Sequence, residues 1–230
     1  MVFLHAALKG RLINPCISNI EDWTCSNNLK LNLSKTVEII ITRQRRKCHA
    51  PLIPTLPDVA RVHAVQTIKV LGVTISDRLS VNQHVTNVIA STAQTFHALR
   101  VLRAHGLNKD ALEGVFKAVV IAKLTYACPA WWGFTTTHDR QKMEAVIRRG
   151  VHFGFCSTSQ APLAELAAAA DETLFEHVLH NKQHVLHQLL PDRTQPTYNL
   201  CSRKHDCSLT VKQSVTANEF ITRMLYKDMY

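Results

Sequence analysis

Carboxylates are scarce in this sequence. Its 230 residues carry 17 Asp or Glu against 27 Lys or Arg, a formal net charge of +10. No acidic residue precedes Glu21, and no two Asp stand side by side. A divalent-metal seat made from an Asp-Asp pair is therefore not written in the chain. Glycine is also scarce, at seven residues. No Gly-rich loop is present to cradle phosphates, and no Gly-x-Ser-x-Gly elbow to expose a nucleophilic serine. The seven cysteines (Cys16, Cys25, Cys48, Cys128, Cys156, Cys201 and Cys207) include no Cys-x-x-Cys pair. An odd, scattered set fits reduced thiols better than a disulfide framework. The N-terminal stretch from Met1 to Lys9 is too short and interrupted to span a membrane. It also lacks the basic-then-apolar layout of a signal peptide. These absences predict a soluble protein with no membrane partner, intracellular and either nuclear or cytoplasmic.

What is present is a chain able to fold. Hydrophobic residues make up 46%, and the length suits one large or two small domains with a real core. The basic excess favours a polyanionic partner, most often nucleic acid. A basic domain with no such partner is the plainer reading of the same charge.

The chain turns on the stretch Lys69-Val70-Leu71-Gly72-Val73-Thr74-Ile75-Ser76-Asp77. It is short, apolar and β-branched, and it reads as one strand packed on both faces. Before it the pattern is mixed. Residues 1–17 match no recognisable element and end in the turn-like Asn14-Pro15. Ser18 with Glu21 has capping-box spacing, which predicts a short helix with Ile20 and Trp23 inward. Leu29, Leu31 and Leu33 alternate with polar residues at the strand period, and Val37 to Thr42 reads as a strand. The basic run Arg43 to Lys47 is a solvated loop, a phosphate contact or a nuclear localisation signal. Pro51, Pro54 and Pro57 mark a further loop, with PxxP spacing that an SH3-like groove would also accept. Arg61 to Val65 reads as a strand able to form a hairpin with the one beginning at Lys69.

After Asp77 the periodicity becomes helical. Val85, Val88, Ile89, Thr92, Phe96 and Leu99 fall on one face of a long helix. Arg100 and Arg103 sit near its C-terminal end, and Gly106 is placed to stop it. A second helix from about Asn108 buries Leu112, Val115, Phe116 and Val119, making an αα-hairpin. The segment Lys123 to Phe134 is the densest in aromatics. Such a cluster either stacks on bases or wedges helices together as core. A third helix, from about Thr137 to Val151, turns Met143, Val146 and Ile147 inward and leaves Arg148 and Arg149 exposed. Farther on, Leu163, Leu166, Ala170, Leu174, Val178, Val185 and Leu189 trace an apolar stripe, with a break expected at Asp171 and an end at Pro191. His177, His180, His184 and His187 recur at three- and four-residue spacing. No His-Glu-x-x-His supplies a third ligand or a base, so no metal site is expected there. The fold class expected is α+β: a small β-rich portion followed by an all-α helical bundle.

Several of these stretches carry a resemblance. Trp23 followed by Asn27-Asn28-Leu29-Lys30-Leu31-Asn32-Leu33-Ser34-Lys35-Thr36 and an apolar strand is similar to motif D of LINE-type (non-LTR, jockey-like) retrotransposon reverse transcriptases. Leu71-Gly72-Val73 after Lys69-Val70 resembles motif E, the primer grip. The Tyr126-x-x-Pro129-x-Trp131 segment, the tail from Tyr198 to Cys207 and the closing helix from Asn218 to Asp228 resemble the same family. Cys201, His205 and Cys207 do not match a zinc-knuckle spacing.

The resemblance covers residues 18–230 and implies a division into an unassigned segment 1–17, a palm remnant 18–77, a thumb-like region 78–152 and a helical C-terminal region 153–230. It places Lys35 near an incoming nucleotide, where an ammonium can stabilise or protonate a leaving polyphosphate. A surface lysine in a turn is the plainer reading. It implies primer–template contacts by Lys69, Leu71, Gly72, Arg100 and Arg103, with little dependence on Arg148 and Arg149. Mg2+ would be the cofactor of an intact member, held by Asp residues of motifs A and C. Those motifs precede motif D, and this chain lacks them, along with the palm and fingers that would be its polymerase partners. The expectation is a truncated reverse transcriptase without catalytic residues of its own. The alternatives are a basic nucleic-acid-binding or interaction domain derived from a retroelement, or a relic without function.

Overall fold

The strands lie in the first part of the chain and helices fill the rest, an α+β arrangement with most of the described residues helical. The computed structural model describes residues 2–6, 14–30, 32, 37–41, 63–193, 205–209, 211 and 216–227. Contacts divide the chain into two compact units, Met1–Ser80 and Val81–Tyr230. No helix among the described residues is long and apolar enough to cross a membrane.

In the first unit, strand β1 (Val2–Ala6) leads through helix α1 (Asn14–Ser26) into β2 (Val37–Ile41), which pairs with β1 in parallel from Val2↔Val37 to Ala6↔Ile41. A helix between parallel strands supplies the long crossover that such pairing needs. The short β3 (His63–Ala64) adds to the other edge of β2, also in parallel. Ile39, central in the branched run of β2, is fully buried. The 1–17 segment, which the sequence left unassigned, thus supplies a strand and the first turn of α1. That helix starts four residues before Ser18. Pro15 falls in its first turn, where the N–H that proline lacks would have no partner anyway. Trp23 is not inward but 59% exposed, and Leu29 is exposed too. Residues 29, 30 and 32 form no strand: the chain leaves α1 through a turn at Asn27 and Asn28, with Asn28 at a φ of 54°. Lys35, the Arg43–Lys47 run and the three prolines lie outside the described residues.

The organising strand is two strands. β4 (Thr67–Val70) and β5 (Val73–Ser76) form an antiparallel hairpin paired from Thr67↔Ser76 to Val70↔Val73. Its two-residue loop is Leu71-Gly72, with φ of 46° and 91°. Positive φ at both loop residues is the turn whose twist matches a hairpin. Ile68 and Val73 are buried while Lys69 and Leu71 face solvent, so the ribbon is covered on one face and not on both. Arg61 to Val65 is not its partner strand: the part that forms β3 pairs with β2.

The second unit is a helical bundle: α2 (Asn82–Ala104), α3 (Lys109–Phe116), α4 (Ala122–Thr125), α5 (Cys128–Trp131), α6 (Thr137–His152), α7 (Leu163–His180) and α8 (Phe220–Leu225). The α2 stripe is buried as its period predicts, at Val85, Val88, Thr92, Phe96 and Leu99, and Gly106 follows its end at a φ of 88°. Asn108 caps α3 through a 2.8 Å bond from the Ala111 N–H, and Thr136 with Asp139 makes a capping box on α6. Between α3 and α4 the helix widens to a π segment, Lys117–Ile121. It carries Val120 inward and leaves Val119 exposed, one residue out of the predicted register. In the aromatic segment Trp131 and Trp132 are core while Tyr126 is exposed; the Trp131 indole N–H donates to the Tyr126 carbonyl at 2.9 Å.

Helix α7 runs unbroken through Asp171, which is buried, and ends at His180. Its buried stripe is Leu163, Ala167, Asp171, Phe175 and Val178, while Val185 and Leu189 lie beyond the helix and are exposed. The Arg223 guanidinium of α8 explains Asp171: it donates to both carboxylate oxygens, at 2.7 and 3.3 Å, and to the Pro129 carbonyl at 3.2 Å.

Candidate nucleic-acid interface

In the first unit the exposed candidates are gathered on the β4–β5 hairpin. Lys69 stands on its open face, directly across from Thr74, two residues from the loop. Leu71 is 87% exposed at the tip. The turn that produces this exposure depends on Gly72, whose φ an L side chain adopts poorly.

In the second unit the signal is the distribution of charge. Residues 81–152 carry nine Lys or Arg and four Asp or Glu, whereas 153–230 carry seven and eight. Three of the four carboxylates in 81–152 are already used. Asp139 is buried in the capping box, Glu144 accepts the Leu163 backbone N–H at 3.0 Å, and Glu113 pairs with Lys117 at 2.8 Å. The hydrogen bond to Glu113 holds the Lys117 ammonium above its ordinary range. Helix α2 has no acidic residue over its 23 positions. Its outer surface is Asn82, Gln83, Asn87, Gln94, His97 and then Arg100 and Arg103.

The C-terminal ends of α2 and α6 meet. Arg103 donates to the Phe153 carbonyl at 2.8 Å, capping α6 at the negative end of its dipole. Its guanidinium also lies 5.0 Å from the centre of the Phe155 ring, and that of Arg100 lies 4.5 Å from the centre of Phe153. A ring is only a weak hydrogen-bond acceptor, so Arg100 keeps its N–H donors for an anion. Along the outer face of α6, Lys142, Arg148, Arg149 and His152 are exposed. Arg148 and Arg149 make no ion pair among the described residues. The sequence marked these two as exposed but not as site residues; the acid-free run of α2 beside them was the available signal.

The remaining candidates fall elsewhere. Among the described residues no three His, Cys, Asp or Glu converge to hold a metal. His180 and His187 use Nδ1 to bond the carbonyls of Glu176 and Val178, each at 2.8 Å, and the Leu186 N–H donates to Nδ1 of His184. Cys128, Cys156 and Cys207 are buried, and burial raises each thiol, Cys128 to about 11. Raised thiols are poor nucleophiles. No protein family, curated protein or solved structure matches the chain.

Proposed function

We propose that this chain binds nucleic acid through the basic surface where α2 and α6 end together, as the downstream part of a LINE-type reverse transcriptase. In that reading residues 81–152 are the thumb, the β4–β5 hairpin is the primer grip, and the chain has no nucleotidyl transfer activity of its own. The observation that supports binding is the acid-free outer face of α2, with Glu113, Asp139 and Glu144 turned inward or paired and Asp110, at the start of α3, left exposed. A polyanion meets no carboxylate along α2, and each phosphate contact releases counterions. The polymerase part rests on the Trp23-to-Thr36 stretch, the Lys69-to-Val73 stretch and the Tyr-x-x-Pro-x-Trp segment.

The test is binding of the full chain to a duplex followed across a salt series. The resemblance puts the contacts at Arg100 and Arg103 with little at Arg148 and Arg149; the surface proposed here departs from it by including that pair, so Arg148→Ala with Arg149→Ala should reduce the slope of log K against log salt by about 2, one for each lost phosphate contact. Lys182→Ala, in the acid-rich C-terminal part, should leave it unchanged. An unchanged slope in the double variant overturns the interface. Arg100 and Arg103 are less clean probes, because their substitution also removes ring contacts and a helix cap. Magnesium-dependent primer extension by the pure chain would overturn the claim that it lacks transfer activity.

A further inference from the structure

A cleft of about 290 Å³ opens beside α7 and α8 in the second unit. That is close to the lower end of small-molecule sites, roughly 300 to 1,000 Å³. Its floor is hydrocarbon: Phe175, Leu179 and Met224. Its uncommitted polar groups are acceptors. Glu172 and Glu176 stand one turn apart on α7 and share the rim. Lys227 also lines the cleft but is engaged, its Nζ 2.7 Å from a Glu172 oxygen. That leaves Glu176, whose carboxylate has no ion-pair partner among the described residues.

His205 also lines the cleft. Its Nε2 lies 3.1 Å from the Leu225 carbonyl oxygen. A carbonyl only accepts, so Nε2 carries a proton, and in the neutral ring Nδ1 is then a lone pair. Nδ1 is buried and has no partner among the described residues. A buried acceptor without a donor is costly. His180, the last lining group, spends its Nδ1 on the Glu176 backbone. The chemistry that complements this cleft is a hydrogen-bond donor with positive charge on a hydrocarbon body.

We propose that the cleft binds a small amphipathic amine, with its ammonium on Glu176 and its apolar body on Phe175, Leu179 and Met224. None of these residues belongs to the basic surface of α2 and α6, so the two sites stand or fall separately.

Calorimetric titration of the full chain with three probes of one shape tests the proposal: phenethylamine, phenylethanol and 3-phenylpropionate. Phenethylamine should bind about tenfold tighter than phenylethanol, the worth of one charge-assisted hydrogen bond, and 3-phenylpropionate most weakly. Glu176→Gln should remove the preference for the amine and leave phenylethanol unchanged. Leu179→Trp should fill the cleft and abolish binding of both. Equal binding of the carboxylate probe, an amine preference that survives in Glu176→Gln, or no amine binding at millimolar concentration overturns it. Glu176 is exposed, so its variant decides the matter even where Leu179→Trp fails to fold.

Discussion

Asp171 and Arg223 lie 52 residues apart in sequence and are joined by two hydrogen bonds inside the second unit. The Asp171 side chain is 5% exposed and that of Arg223 21%. Asp171→Ala leaves the guanidinium with the Pro129 carbonyl alone, and its Nε already has no partner among the described residues. Breaking a buried pair by removing one partner costs about 3 kcal/mol or more, because the surviving charge stays desolvated. That is a large share of the ~5 to 15 kcal/mol that holds a domain together. With a urea m-value of roughly 2 kcal/mol per molar, the unfolding midpoint should fall by about 1.5 M. The assay is helical circular dichroism against urea. Asp171→Leu combined with Arg223→Met isolates the cause: if the uncompensated charge is what destabilises, the double variant recovers most of the loss. A cost below about 1 kcal/mol for Asp171→Ala, or a double variant no better than the single, would refute the reasoning.

Other perturbations follow from the packing. A Cβ at Gly150 would meet the Phe116 ring, so Gly150→Ala should lose about 1 to 3 kcal/mol by overpacking, read as a fall in thermal midpoint. Leu71 holds a φ suited to Asn or Gly in this turn, so Leu71→Asn should stabilise the hairpin by about 1 kcal/mol, measured by amide hydrogen exchange in β4 and β5. Burial, with the Asp171 charge adding to it, pushes the Cys128 thiol up from 9.0 to about 11. Its contribution to stability is therefore complete below pH 9 and is lost as the pH rises toward 11, since the unfolded thiol ionises first. Urea midpoints for Cys128→Ala should fall less steeply across that window than those of the unchanged chain.

The buried faces of α2 and α6 were legible because an ideal 3.6-residue period runs the length of each helix. Val85 to Leu99 and Met143 to Ile147 needed no information from elsewhere in the chain. Leu71-Gly72 was misread because an apolar residue and a glycine resemble the inside of a strand. Only their φ values show a loop, and the usual Asn-Gly or Asp-Gly signal is absent. Val119 was assigned inward on an α period that the π segment interrupts. Asp171 looked like a helix break because its partner lies 52 residues away, beyond any local window. At the candidate interface, single arginines were visible in the sequence. That Glu113, Asp139 and Glu144 are each occupied was not, since capping and pairing are facts of three dimensions. The resemblance placed Lys35 in a site, and the described residues do not reach it.

The widened turn at Lys117–Ile121 bears on how this protein can change length. A π turn holds about one residue more than an α turn over the same rise. Leu112, Phe116, Val120 and Leu124 are buried at a constant spacing of four, which the extra residue makes possible. Loss of one residue inside the turn lets it close to ordinary α-helix while the residues on either side keep their faces. The same loss in α6 would swing Met143, Val146 and Ile147 about 100° around the axis and out of the core. A lineage carrying this bundle can therefore absorb a single-codon deletion at the turn and not along α6.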